Sequence, residues 1–102
     1  MNFQDIKFNK TQMPKGIQAM LNFGDYELSI VKSDFSYGGK SGLYEIAVYR
    51  QGHQVEMPGI TEQGDTVRGF LNESEVEGII KKMHLVTGED PVDGQQERFN
   101  NV

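Results

Sequence analysis

The chain has 102 residues, no cysteine and a formal net charge of -5 at pH 7. That length supports one domain burying about 65% of its unfolded surface, and the missing thiols exclude disulfides and thiolate metal centres and suit a reducing, intracellular setting. Nowhere do about 18 consecutive apolar residues occur, so no membrane span is expected.

The start, Met1-Asn2-Phe3-Gln4-Asp5, has no basic region followed by an apolar run, so no secretory signal is expected. Phe3, Ile6 and Phe8 predict a short first strand, with Ile6 and Phe8 alternating around Lys7. Asn9 to Gly16 contains Pro14 and Gly16 and reads as a connection. Ile17, Ala19, Leu21 and Phe23 then alternate up to Gly24-Asp25, a two-residue hairpin turn. With that turn at the centre, Phe23 pairs with Tyr26, Leu21 with Leu28 and Ala19 with Ile30, all on one face. Gln18, Met20, Asn22, Glu27, Ser29 and Val31 take the other face. A slip of one residue would exchange the two faces, so the register is strongly specified.

Ser33 to Gly42 is a polar, glycine-rich loop, and Leu43 to Arg50 is the next strand. Gln51-Gly52 turns it into His53 to Met57, pairing Val48 with Val55 and Ile46 with Met57, with Tyr44 continuing the apolar row. Pro58-Gly59 ends that strand. Ile60 to Gly69 is open between a short strand around Thr66-Val67-Arg68 and a loop.

From Leu71 to Gly88 the spacing changes to that of a helix. Val76, Ile79, Ile80 and Met83 fall at i, i+3, i+4 and i+7. Asn72 and Glu75 form a capping box, Leu71 and Val76 occupy the staple positions, and Gly88 is the C-cap. Glu73, Glu75 and Glu77 lie early and Lys81, Lys82 and His84 late, opposing the helix dipole. After Gly88, four carboxylates (Glu89, Asp90, Asp93, Glu97) accompany Arg98, a balance of -4 + 1 = -3, which leaves -2 for the body. Residues 89–102 are therefore expected to be an acidic, unstructured tail on a single domain, 1–88. The fold class is α+β: an antiparallel sheet of four or five strands, a meander of hairpins, with one C-terminal amphipathic helix packed on its apolar face.

No constellation carries chemistry. Gly39-Lys40-Ser41 is like the end of a phosphate-binding loop, but position 34 holds Asp where that pattern needs Gly, and a strand follows rather than a helix. His53 and His84 fall in separate elements without a carboxylate cluster, which points to solvated or dipole-related roles and not to a metal. No serine sits in a nucleophile setting. The chain is accordingly read as a non-enzyme without cofactor. Binding candidates are the aromatic and basic loop residues Phe35, Tyr37, Lys40, Tyr49, Arg50 and His53, because Tyr and Arg are favoured interface anchors. The bland alternative folds Phe35 onto the sheet and leaves Tyr37 shielding an edge. Met20, Val31, Ala47 and Tyr49 give the outer face enough apolar character for a partner or a symmetric homodimer. A single-stranded nucleic-acid surface built from Tyr49, Arg50, Lys32 and Lys40 is the alternative, which the near-neutral body opposes.

The run Ser36-Tyr37-Gly38 with Gly42-Leu43-Tyr44-Glu45-Ile46-Ala47-Val48, and the later Asp65, Val67, Gly69-Phe70-Leu71 and Glu75-Val76, resemble small hypothetical proteins of tailed bacteriophages. The likeness covers about 16–83; the tail after Gly88 is longer than that family's usual ending. It implies a small accessory protein in the cytoplasm of an infected bacterial host. Such a protein would bind and modulate a host or phage protein, or serve as a minor component of the particle. The family has no established reaction and so implies no catalytic residues.

Overall fold

The structure, a computed structural model, describes residues 1–93. Its elements in chain order are β1 (Asn9–Gln12), β2 (Lys15–Phe23), β3 (Tyr26–Ser33), β4 (Tyr44–Arg50), β5 (His53–Gln54), β6 (Val67–Leu71), α1 (Glu73–Thr87) and β7 (Val92–Asp93), with 3-10 turns at Phe3–Asp5 and Gly39–Ser41. The seven strands form one antiparallel sheet, ordered β1-β2-β3-β4-β5, with β6 also on β4 and β7 also on β2.

The hairpin about Gly24-Asp25 has the register its alternation demands: Phe23 faces Tyr26, Leu21 faces Leu28 and Ala19 faces Ile30. β4 adds Ile46 beside Ile30 and Val48 beside Leu28. Phe23, Leu28, Ile30, Ile46 and Val48 are consequently fully buried on one side of the sheet. α1 closes over that side with Val76, Ile79, Ile80 and Met83, all buried. Both halves of the capping box are made, Glu75 N–H to Asn72 Oδ1 at 2.8 Å and Asn72 N–H to Glu75 Oε1 at 2.9 Å. Gly88 ends the helix in the left-handed region at φ 73°.

Four local expectations are corrected. Ile6 and Phe8 alternate, yet Phe3–Asp5 is a 3-10 turn and no strand forms there. Phe3 instead meets Tyr44 edge-on and Phe8 meets it tilted, at centroid distances of 5.2 and 5.7 Å, and the Phe3 N–H bonds the Glu77 carboxylate of α1. Asn9 to Gly16, which reads as a connection, contains β1, paired from Asn9↔Gln18 to Gln12↔Lys15.

The strand expected from His53 to Met57 is cut short. Only Tyr49↔Gln54 and Arg50↔His53 pair, followed by a Val55 N–H bond to Val48 O at 2.9 Å. Pro58 has no N–H for a ladder, and the Met57 carbonyl is taken by the amides of Ile60 and Thr61 in a turn. β6 replaces it, so that Ile46 faces Arg68 and not Met57. Of the two alternatives for 60–69, the strand is the one formed.

The tail begins with order: Val92 and Asp93 pair with Asn22 and Leu21. His84 Nδ1, at the end of α1, lies 3.0 Å from Glu89 O and 3.2 Å from Asp90 Oδ1. The remainder of the expected tail, 94–102, falls outside the described residues.

Candidate functional site

At the Tyr44 end of β4, two segments meet and display aromatic rings. The first is the loop after β3, which is locked by its serines. Ser36 Oγ accepts the Ser33 N–H at 2.8 Å, and Ser33 Oγ accepts the N–H groups of Phe35 and Ser36 at 3.3 and 3.2 Å. Serine hydroxyls that saturate nearby amides hold a turn without any ladder. Phe35 at its tip is 83% exposed, so it does not fold back onto the sheet.

Tyr37-Gly38 lies further along the same loop, and the second segment is Gly69-Phe70, on β6. Between the pairs Tyr44↔Leu71 and Ile46↔Arg68, β6 spends two residues, Gly69 and Phe70, where β4 spends one, Glu45. This is a β-bulge, and it turns Phe70 out of the strand's alternation. Phe70 adopts φ 57°, a left-handed conformation rarely taken by a bulky residue, and is 63% exposed. A Cβ on Gly69 would overlap the Tyr37 side chain, so the close approach of the two segments requires glycine there. The Phe70 N–H donates to Tyr37 O at 3.1 Å, and the Tyr37 N–H donates to Glu45 Oε1 at 3.3 Å. Tyr37 is 58% exposed.

Glu45 faces the outer side of the sheet in the row Gln18–Val31–Glu45. Partial burial raises its carboxyl above the ordinary value of 4.5; the Tyr37 N–H opposes that rise and the charge of Asp65 adds to it. The corner thus combines exposed rings with a carboxylate that gains from a nearby cation.

The six candidate residues do not form one site. Phe35, Tyr37 and Lys40 belong to the corner loop, whereas Tyr49, Arg50 and His53 lie at the far end of β4, six steps and about 20 Å away. There Arg50 covers the Tyr26 ring at 5.5 Å. Phe70 is the member that sequence reasoning missed; the glycine before it, inside a strand pattern, was the available signal for a bulge. The outer face keeps the row Met20–Ser29–Ala47–Val67, over which no helix lies among the described residues. Among the described residues, no three His, Asp or Glu side chains are placed to hold a metal ion, and no helix is long and apolar enough to cross a membrane.

Fold and corner together define an α+β protein, one helix on an antiparallel sheet, that exposes the rings of Phe35, Tyr37 and Phe70. No protein-family model matches the chain, and the comparisons with curated proteins and with solved structures gave no match.

Proposed function

We propose that this chain is a non-enzymatic accessory protein that binds another protein through Phe35, Tyr37 and Phe70. The supporting observation is the exposure of three large rings on segments tied down by hydrogen bonds from the Phe35 and Phe70 amides. Rigid aromatic side chains lose little entropy on docking and bury much apolar area, which is why they dominate interface energetics. The strain at Phe70 is accepted where a simpler strand would hide the ring, and strain of that kind gathers at binding sites. Glu45 and Asp65 beside the rings favour a partner whose apolar pocket is rimmed by Lys or Arg. The resemblance to phage proteins makes the partner a host or phage protein in an infected bacterium.

Affinity purification from bacterial lysate with the wild-type chain and with a Phe35→Ser/Phe70→Ser variant tests this reading. A protein retained by the wild type and lost with the variant is expected. Equal recovery by both, or nothing specific from either, would overturn it. The nucleic-acid alternative draws on residues from both faces: Lys32 lies over Tyr44 on the helix side, whereas Tyr49 belongs to the outer face.

A further inference from the structure

We infer that the outer face of the sheet is a docking surface for a basic amphipathic helix of a partner protein. The register sorts the strand charges by side. Lys32 pairs with Ile17 and lies over Tyr44, Arg68 pairs with Ile46, and Arg50 covers Tyr26, so all three belong to the side that α1 occupies. Lys10 and Lys15 fall on that side too, Lys10 opposite Ile17 and Lys15 in phase with it along β2. No Lys or Arg of the described strands is left for the outer face. The carboxylates of β3 and β4, Glu27 and Glu45, both fall there, and the charge of Asp65 reaches Glu45. Their rows also hold Tyr49 and Val31, and Met20, Ala47 and Val67 share the row between them.

An apolar middle between acidic rows selects its occupant. A second copy of this chain docked through the same face would set carboxylate against carboxylate, and like charges across an interface oppose association. Anionic lipid and nucleic acid meet the same repulsion. A cationic partner gains where those three lose. Its shape follows from the spacing of the charges. Val31 faces Glu45 and lies on the same strand as Glu27, so the two carboxylates start about 14 Å apart along the strands. A helix rises about 1.5 Å per residue, so Lys or Arg side chains about two turns apart on one of its faces reach both, with apolar positions between them over the middle row. Covering the face strands little. The Ser29 hydroxyl oxygen already accepts from Gln18 Nε2 at 3.0 Å, and Glu45 Oε1 already accepts the Tyr37 N–H. Phe35, Tyr37 and Phe70 lie outside these rows, and this inference stands without the reading of the aromatic corner.

Displayed peptides of about sixteen residues, with a fixed leucine stripe at helical spacing and randomised flanks, test the face against the folded full chain. Selection should enrich Lys or Arg about two turns apart. The charge-reversed chain, Glu27→Lys/Glu45→Lys, should instead enrich Asp or Glu at those positions. The peptide selected by the wild type should bind with a Kd below about 100 μM, gain helicity by circular dichroism, and shift the amides of Met20, Ser29 and Ala47 in NMR. Ala47→Arg, which sets a cation in the middle row, should weaken that peptide about tenfold, and it serves alone if the reversed chain does not fold. Phe35→Ser/Phe70→Ser should bind the peptide as the wild type does, which separates this face from the aromatic corner. The inference falls if the flanks stay random or turn acidic, if the reversed chain selects the same peptides, or if Ala47→Arg binds undiminished. It falls equally if the shifts centre on Phe35 and Phe70, if the chain alone self-associates through Met20 and Ala47, or if phosphatidylglycerol vesicles move the same amides.

Discussion

Phe70 donates its backbone N–H to the carbonyl of Tyr37 at 3.1 Å, joining a bulged strand to a loop more than thirty residues earlier in the chain. The bond puts two exposed rings on one rigid corner. It is made from a left-handed Phe70, a conformation that costs on the order of 1–3 kcal/mol.

Replacing that residue should therefore separate stability from binding. Phe70→Gly removes the ring but suits the positive φ, so denaturant unfolding should shift by no more than about 1 kcal/mol. Gly69→Val drives a side chain into Tyr37 and should cost about 1–3 kcal/mol. If Phe70→Gly unfolds the chain, the ring serves the fold.

Glu45 gives a pH signature. Its folded-state carboxyl binds its proton more readily than the unfolded chain's does, so the folded state holds more protons between the ordinary value and the raised one. The contribution of this group to stability therefore falls as pH rises through that window. Glu45→Gln, which can keep the bond from the Tyr37 N–H, should melt higher than wild type at pH 7. The gap should close as pH drops below 4.5, the ordinary value. A gap independent of pH would refute the assignment.

α1 depends on the sheet for its stability, because a helix of 15 residues is marginal alone in water. Met83→Ala, at a fully buried position, should cost about 2–5 kcal/mol. Ile79→Asp should abolish cooperative unfolding, whereas Leu85→Ala on the exposed face should stay within about 0.5 kcal/mol. Thermal melts by circular dichroism distinguish these outcomes.

Arg68 clamps the turn that carries the chain from β5 to β6. Its Nε donates to Ile60 O at 2.9 Å and its second terminal nitrogen to Thr61 O at 3.2 Å. Arg68→Met should cost about 1.5–3 kcal/mol by leaving those carbonyls without a charged donor. Hydrogen exchange should then quicken first at Ile60 and Thr61. Uniform quickening across the sheet would argue against a local clamp.

Residue order alone determined the parts whose partners are close in sequence. The Gly24-Asp25 turn sets the register of its own strands, and Asn72, Glu75 and Gly88 mark the ends of α1, because two-residue turns and helix caps are satisfied within a few positions. Alternation also showed which face of each strand is apolar. It could not show which strand lies beside which. β6 takes the β4 edge that β5 leaves free, and β1 forms within a stretch that looked like connection. The fold also joins Tyr37 to Phe70 across a long sequence separation. Such pairings are settled by competition for one shared core after long loops have closed, and that competition leaves no local spacing to read.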